Sequence, residues 1–179
     1  MIAGSLSRRY AKALFQLALE SHREEEVDQE IDRFATVYRT APLSTVLNNP
    51  TVGVATRKKI LLRVTESLQL SSLVRHSLSL LLERDRLVSL PSIASYYRRL
   101  LYEAKGRVEA EVVSVTALEE ATVERLRGVL QSVSGKEVIL HKRTDPGLLG
   151  GIVIQLEGKV YDGSIRTQLQ KMRERIERG

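Results

Sequence analysis

Cysteine is absent from all 179 residues. That excludes a disulfide framework, a thiolate nucleophile, an iron–sulfur cluster and a cysteine zinc site, so stability must come from packing. Long apolar runs are missing too. The longest unbroken leucine run is Leu80 to Leu82, far below the roughly 20 residues of a membrane span. No charge of one sign dominates: the net charge is +6, and opposite charges are interleaved as on an ordinary solvated surface. Residues 1–106 hold 16 Lys/Arg and 11 Asp/Glu, and 107–179 hold 12 and 11, so neither part carries the basic stripe of a nucleic-acid binder. Catalytic signatures are also lacking. There is no phosphate-binding G-x-x-x-x-G-K-[ST], no G-x-S-x-G and no H-E-x-x-H, and the three histidines are scattered.

The chain is 42% hydrophobic and 28% charged, the balance of a soluble globular protein. Its length allows one ordinary domain or two small ones. Met1 to Leu19 holds Arg8, Arg9 and Lys12 and no acid, superficially like a targeting peptide. Its apolar residues run straight into a long helical pattern with no signal core or small-residue cleavage site, so it reads as mature chain.

The pattern changes at Ala104-Lys105-Gly106. Apolar spacing has helical period before it and period two after it, which predicts two domains, 1–106 and 107–179. Composition shifts at the same place, with seven of the eight aromatics before Gly106 and only Tyr161 after. In the first part, Ala41-Pro42, Asn49-Pro50, Gln69-Leu70-Ser71-Ser72 and Leu90-Pro91 punctuate helix-length segments. The spacing predicts about six helices near 4–22, 25–40, 43–48, 54–68, 71–86 and 91–105. In the second part, 107–112 alternates as a half-buried strand. Val123, Leu126, Val129, Leu130 and Val133 then form one helical stripe, closed by Gly135 as C-cap. Two β-branched runs follow, at 138–140 and 152–154, and Glu157-Gly158-Lys159 turns the chain into Val160-Tyr161. A last helix begins after Ser164 as N-cap, with Ile165, Leu169, Met172 and Ile176 on one face.

Two helices carry more apolar surface than a core needs. Leu6, Tyr10, Ala11, Ala13, Leu14, Phe15, Leu17 and Ala18 spread over about 200° of arc, where a core face takes about 100°. In the fifth helix Val74, Leu78, Leu81 and Leu82 make one stripe, while Leu73 and Leu80 stack elsewhere with His76 beside them. Central burial inside the bundle is one explanation, and a partner helix laid in a groove is the other. His76 has no acid or histidine at i+4 to complete a metal site. Glu24-Glu25-Glu26 and Arg57-Lys58-Lys59 read as solvated helix ends. Leu148-Leu149-Gly150-Gly151 is similar to a dinucleotide loop only in part, since a third glycine and a following helix are missing. Positive φ or a close backbone approach explains the two glycines better. Asp145-Pro146 reads as a turn, and Asp162-Gly163-Ser164 as a strand-to-helix corner whose side chains satisfy helix amides.

Taken in order, these marks resemble the delta subunit family of F-type ATP synthase, the counterpart of the mitochondrial oligomycin-sensitivity-conferring protein. Arg9-Tyr10-Ala11-Lys12-Ala13-Leu14 is similar to the family's first-helix motif. Asn49-Pro50 with Lys58-Lys59 and Leu62, then Arg86-Leu87, Leu90-Pro91, Ile93 and Tyr97, continue it. Asp145-Pro146, Leu148, Gly150-Gly151 and Asp162-Gly163-Ser164 with a basic terminal helix complete it. The likeness runs the whole length.

The resemblance implies an all-α six-helix N-terminal bundle followed by a small α+β C-terminal domain. It implies no catalysis, no cofactor, no small-molecule substrate and no nucleic acid. The expected role is a peripheral-stalk subunit that links the catalytic alpha/beta hexamer to the b-subunit stalk and so holds the hexamer against rotor torque. The bundle is expected to bind the N-terminal segment of the alpha subunit through Tyr10, Ala13, Leu14, Leu17, Leu73, His76 and Leu80. The b subunits are expected to meet Ile165, Leu169, Met172 and Ile176. Asp145, Pro146, Gly150, Gly151, Asp162, Gly163 and Ser164 are expected to be structural. The absence of an N-terminal extension favours a peripheral position on the cytoplasmic face of a bacterial membrane. The competing reading is RNA binding by the C-terminal mixed sheet, against which stand the missing stacking aromatics and RNP-like run.

Overall fold

The computed structural model describes residues 2–178. The chain divides into two compact units, the first ending at Leu101 and the second beginning at Tyr102.

The first unit is helical: α1 (Ile2–Glu20), α2 (Glu24–Tyr38), α3 (Ala41–Asn48), α4 (Val54–Ser67), α5 (Ser72–Glu83), a single 3-10 turn (Leu87–Ser89) and α6 (Leu90–Ala104). Each end has a local cause. The three acids of the first turn of α2 oppose the positive end of its dipole. Pro42 occupies the first turn of α3, where a missing N–H costs nothing. Ser71 caps α5, its Oγ accepting from the Val74 amide at 3.4 Å.

The core is assembled from one stripe per helix: Ala11, Leu14, Phe15 and Ala18 of α1, Val27, Ile31 and Phe34 of α2, Leu61 of α4, Val74, Leu78 and Leu82 of α5, and Ile93 and Tyr97 of α6. Phe15 meets Tyr97 edge-on at 5.5 Å, an arrangement that satisfies the ring quadrupoles. The Tyr97 hydroxyl donates to the Glu24 carbonyl at 3.0 Å. Burial, with the nearby carboxylates of Asp28 and Glu24, pushes that phenol well above its usual range.

Two buried ionic groups pin loops. Glu30 accepts from the Ser71 amide at 2.8 Å and from its hydroxyl at 2.6 Å, tying the start of α5 to α2. Arg57 corrects the sequence reading of a solvated basic trio, for it is buried. It lies in the first turn of α4, where its charge opposes the helix dipole, and it serves instead as a latch. Nε donates to the Val52 carbonyl at 3.0 Å, and Nη1 to the Leu47 carbonyl at 3.3 Å and to Asp85 at 2.9 Å. Lys58 of the same trio pairs with Glu83 at 2.5 Å.

The second unit is α+β: β1 (Arg107–Ser114), α7 (Glu120–Ser134), β2 (Glu137–Thr144), β3 (Ile152–Leu156), β4 (Lys159–Asp162) and α8 (Ile165–Arg178). The sheet order is β2-β1-β3-β4, with β1 and β2 parallel and the other pairs antiparallel. Gly135 closes α7 in the left-handed region at φ 68°, as a C-cap glycine should. The strands alternate faces: Val108, Ala110, Val112, Val138, Ile154 and Leu156 meet Leu130 of α7 in a small core. The opposite face carries the ion pairs Arg107–Glu137 at 2.8 Å and Arg143–Glu111 at 2.9 Å, and His141 Nε2 lies 3.1 Å from Glu109 Oε1.

The five residues read as one stripe of α7 differ in burial: Val123 and Leu130 are buried, but Val129 is 60% and Val133 61% exposed. At about 100° per residue those two lie on the flank of the helix, and no second helix stands beside α7 on the sheet to cover them.

Candidate functional site

The seven residues proposed for one partner lie on two helices that pack against each other, α1 and α5. They do not all have the same surroundings. Leu14 is buried and belongs to the core, in line with Ala11 and Ala18. Leu17 sits one turn on and about 60° round the helix, and is 48% exposed. Ala13 is exposed and Tyr10 half-buried between the two settings. On α5, Leu73 is half-buried and Leu80 is 44% exposed, while Val74, Leu78, Leu81 and Leu82 fill the core. His76 is exposed, its Nδ1 lying 2.6 Å from the Ser72 carbonyl. A carbonyl only accepts, so this contact places the proton on Nδ1 and turns Nε2 outward. Each helix thus carries an outward apolar edge beside its core face, Leu17 on α1 and Leu80 on α5, and the two are termed together the α1/α5 ledge.

The second set lies on α8. Every residue from Ile165 to Glu177 except Thr167 is exposed, and exposure of the stripe reaches 81% at Ile176. Among the described residues, the helix is anchored at its start. Asp162 Oδ1 accepts from the Ser164 amide at 2.8 Å and Oδ2 from the Thr167 hydroxyl at 2.8 Å, while Ser164 Oγ accepts from the Thr167 amide at 3.3 Å. The hydrogen bond from the Ser164 backbone is the main reason the Asp162 carboxyl is held below its usual range.

The glycine and aspartate motif residues meet at this same corner. The Asp145 amide donates to Ser114 O at 2.8 Å, and its Oδ1 accepts from the Gly147 amide at 2.9 Å around Pro146, an Asx turn. Gly150 and Gly151 have φ of 151° and 80°. A Cβ on Gly150 would lie 2.4 Å from Cδ1 of Ile165, and one on Gly151 2.4 Å from the Gly163 carbonyl. The Gly163 amide donates to Ile152 O and the Ile165 amide to Gly150 O, both at 3.0 Å. The two glycines therefore let the strand start pass directly under the start of α8, which is the close approach expected of them and leaves no phosphate loop.

Among the described residues no cluster of His, Asp or Glu is placed to hold a metal ion. Among the described residues, too, no helix is long and apolar enough to cross a membrane. The RNA reading finds no support, since the open face of the sheet is filled with paired charges rather than stacking rings. Sequence reasoning missed the exposed flank of α7; the clue was a stripe of five residues, wider than one small sheet covers.

The chain is a helical unit followed by a small mixed-sheet unit, each with apolar helix residues left outward. Residues 6–176 match the family described as ATP synthase delta (OSCP) subunit, and the chain belongs to that family. It is 36% identical to the ATP synthase subunit delta of Geobacter sp. strain M21, covering 100% of both chains. It is 38% identical to that of Desulfosudis oleivorans, over 97% of this chain and 96% of the relative. The fold is similar to a chain in the cryo-EM structure of the Toxoplasma gondii mitochondrial ATP synthase hexamer, with TM-score 0.76, 20% identity, and 96% and 97% of the two chains covered. A chain of the Polytomella F-ATP synthase matches 55% of this one at TM-score 0.52 and 22% identity.

Proposed function

We propose that this chain is a noncatalytic peripheral-stalk subunit of a proton-translocating F-type ATP synthase, linking the alpha/beta hexamer to the b-subunit stalk. The helical elements of 1–106 act as a six-helix bundle that receives the N-terminal segment of the alpha subunit on the α1/α5 ledge. Residues 107–179 engage the b subunits, with the stripe of α8 as the contact. The chain works at the cytoplasmic face of the membrane, attached through its partners. The carrying observation is that Leu17 and Leu80 stand half-exposed on adjoining helices whose other faces are already occupied by core.

The physical task is restraint. Torque delivered to the hexamer by the rotor drives synthesis only if the hexamer is kept from turning, so the joint must outlast many catalytic cycles. Nanomolar affinity corresponds to about 12 kcal/mol, and desolvated apolar anchors in a preformed groove are the usual source of such energy. The ledge is preformed because Leu14, Val74 and Leu78 behind it are fixed in the core.

The test is titration of the full chain with a synthetic N-terminal segment of its own alpha subunit. Leu80→Asp should weaken binding at least about tenfold while the melting temperature stays unchanged. Undiminished binding by the folded variant would remove Leu80 from the interface. Co-purification with alpha and b subunits tests the two-ended role.

A further inference from the structure

Between Leu73 and Leu80 of α5 stands a polar group of fixed sense. At about 100° per residue, His76 lies roughly 60° round the helix from Leu73 and 40° from Leu80, and between them along the axis. The imidazole is exposed but tied, its Nδ1 lying 2.6 Å from the Ser72 carbonyl one turn back. A carbonyl only accepts, so the neutral ring carries its proton on Nδ1 and presents the lone pair of Nε2 outward. Ser72 is held in turn through its neighbour. The Ser71 amide at 2.8 Å and the Ser71 hydroxyl at 2.6 Å both donate to Oε2 of Glu30, a buried carboxylate of α2. Glu30 thus fixes the first turn of α5, the first turn fixes the ring, and the ring aims an acceptor. Ser77, on the same side of the helix, spends its hydroxyl proton on the Leu73 carbonyl at 2.8 Å and offers no donor outward.

A lone pair that a partner covers must be met by a donor, because the water it gives up is otherwise not replaced. We propose that His76 determines specificity at the α1/α5 ledge: its Nε2 accepts a hydrogen bond from a donor side chain of the alpha segment, an amide, hydroxyl, ammonium or guanidinium set beside the segment's apolar stripe. The inference rests on the reading of the ledge as the seat of that segment, and adds what the segment must carry. Leucines alone would take any apolar helix of the right width. An acceptor fixed among them rejects a segment that sets an aliphatic side chain opposite, which strands the lone pair. It also rejects one that sets a carboxylate there, which brings two acceptors together.

The test titrates the full chain, isotope-labelled at its histidine nitrogens, with the synthetic N-terminal segment of its own alpha subunit. The free chain should show His76 as the Nδ1–H tautomer. On binding, the Nε2 resonance should move upfield as it accepts, with Nδ1 still protonated. His76→Phe keeps a ring without the acceptor and should weaken binding about tenfold at an unchanged melting temperature. His76→Gln, which puts an amide oxygen forward, should stay within about threefold of the native affinity. Alanine at the donor position of the segment should cost about tenfold against the native chain and nothing further against His76→Phe, as a coupled pair requires. Native affinity in His76→Phe, or no segment position coupled to residue 76, would overturn the assignment, and if Leu80→Asp still weakened binding the ledge itself would stand. A native chain that does not bind the segment, or binds it with the His76 resonances unmoved and Leu80→Asp without effect, would remove the ledge and this inference together.

Discussion

The two units solve opposite problems. The helical unit backs its outward apolar residues with core: Leu17 and Leu80 stand on helices whose remaining faces hold Leu14, Phe15, Val74, Leu78 and Leu82 in place. The α+β unit leaves its apolar residues without backing. Val129 and Val133 flank a sheet too wide for one helix, and α8 is held, among the described residues, by its first turn. A helix of 14 residues is marginal in water by itself, so the order of α8 rests on its anchored first turn. The contrast teaches that apolar residues built on a core keep their place unaided, whereas those of a solitary helix depend on what packs against it.

The largest effect that would sharpen the contrast is in the first core. Phe34 is fully buried and stacks on Tyr38 at 6.1 Å. Phe34→Ala should cost about 4 kcal/mol of stability in denaturant unfolding and should abolish alpha-segment binding by destroying the ledge. A loss below about 1 kcal/mol would mean that the core repacks without strain.

Next is Gly151→Ala. The backbone there has φ of 80°, and the new methyl would meet the Gly163 carbonyl at 2.4 Å. Strain of this kind costs about 3 kcal/mol, and it should fall on the corner that launches α8. Helix content should drop in α8 while the helical unit melts as before. Alanine tolerated at wild-type stability would show that the corner is looser than its hydrogen bonds indicate.

Legibility followed the same division. Helix limits, the change of period near Gly106 and the role of Gly135 were readable because caps, prolines and glycines act locally. The corner around Gly150, Gly151 and Ser164 was readable as structure for the same reason, although its partners lie more than ten residues apart. What could not be read was competition for burial. Sequence placed Leu14 with Leu17 and Val129 with Val123, yet each pair divides between core and solvent. Helical period gives direction to within about 50°, and which neighbour fills that direction depends on elements distant in the chain. Arg57 escaped for a related reason, since its acceptors are main-chain carbonyls, of Leu47 in the last turn of α3 and of Val52 in the loop after it, which side-chain periodicity does not report.

Leu80→Asp probes the ledge with a smaller effect and an opposite pattern. The side chain is 44% exposed, so stability should move by less than about 0.5 kcal/mol. Affinity for the alpha segment should fall by about 2 kcal/mol, near thirtyfold. If stability fell along with affinity, Leu80 would belong to the core, and the separation between ledge and core on α5 would be lost.

The smallest effect concerns pH and reaches only the second unit. The Asp162 carboxyl is held below its ordinary value of 3.8, chiefly by the Ser164 backbone amide and then by the Ser164 and Thr167 side chains. A carboxyl whose pKa is depressed by folding stabilises the folded state at any pH above its unfolded value. That contribution disappears as pH falls through the folded value, because the protonated oxygen no longer accepts as strongly. Amides at the start of α8 should therefore lose hydrogen-exchange protection in acid below about pH 4. Asp162→Asn should show the weaker protection already at neutral pH and no further acid step. An acid step of equal size in the asparagine variant would assign the transition to another group and release Asp162 from the corner.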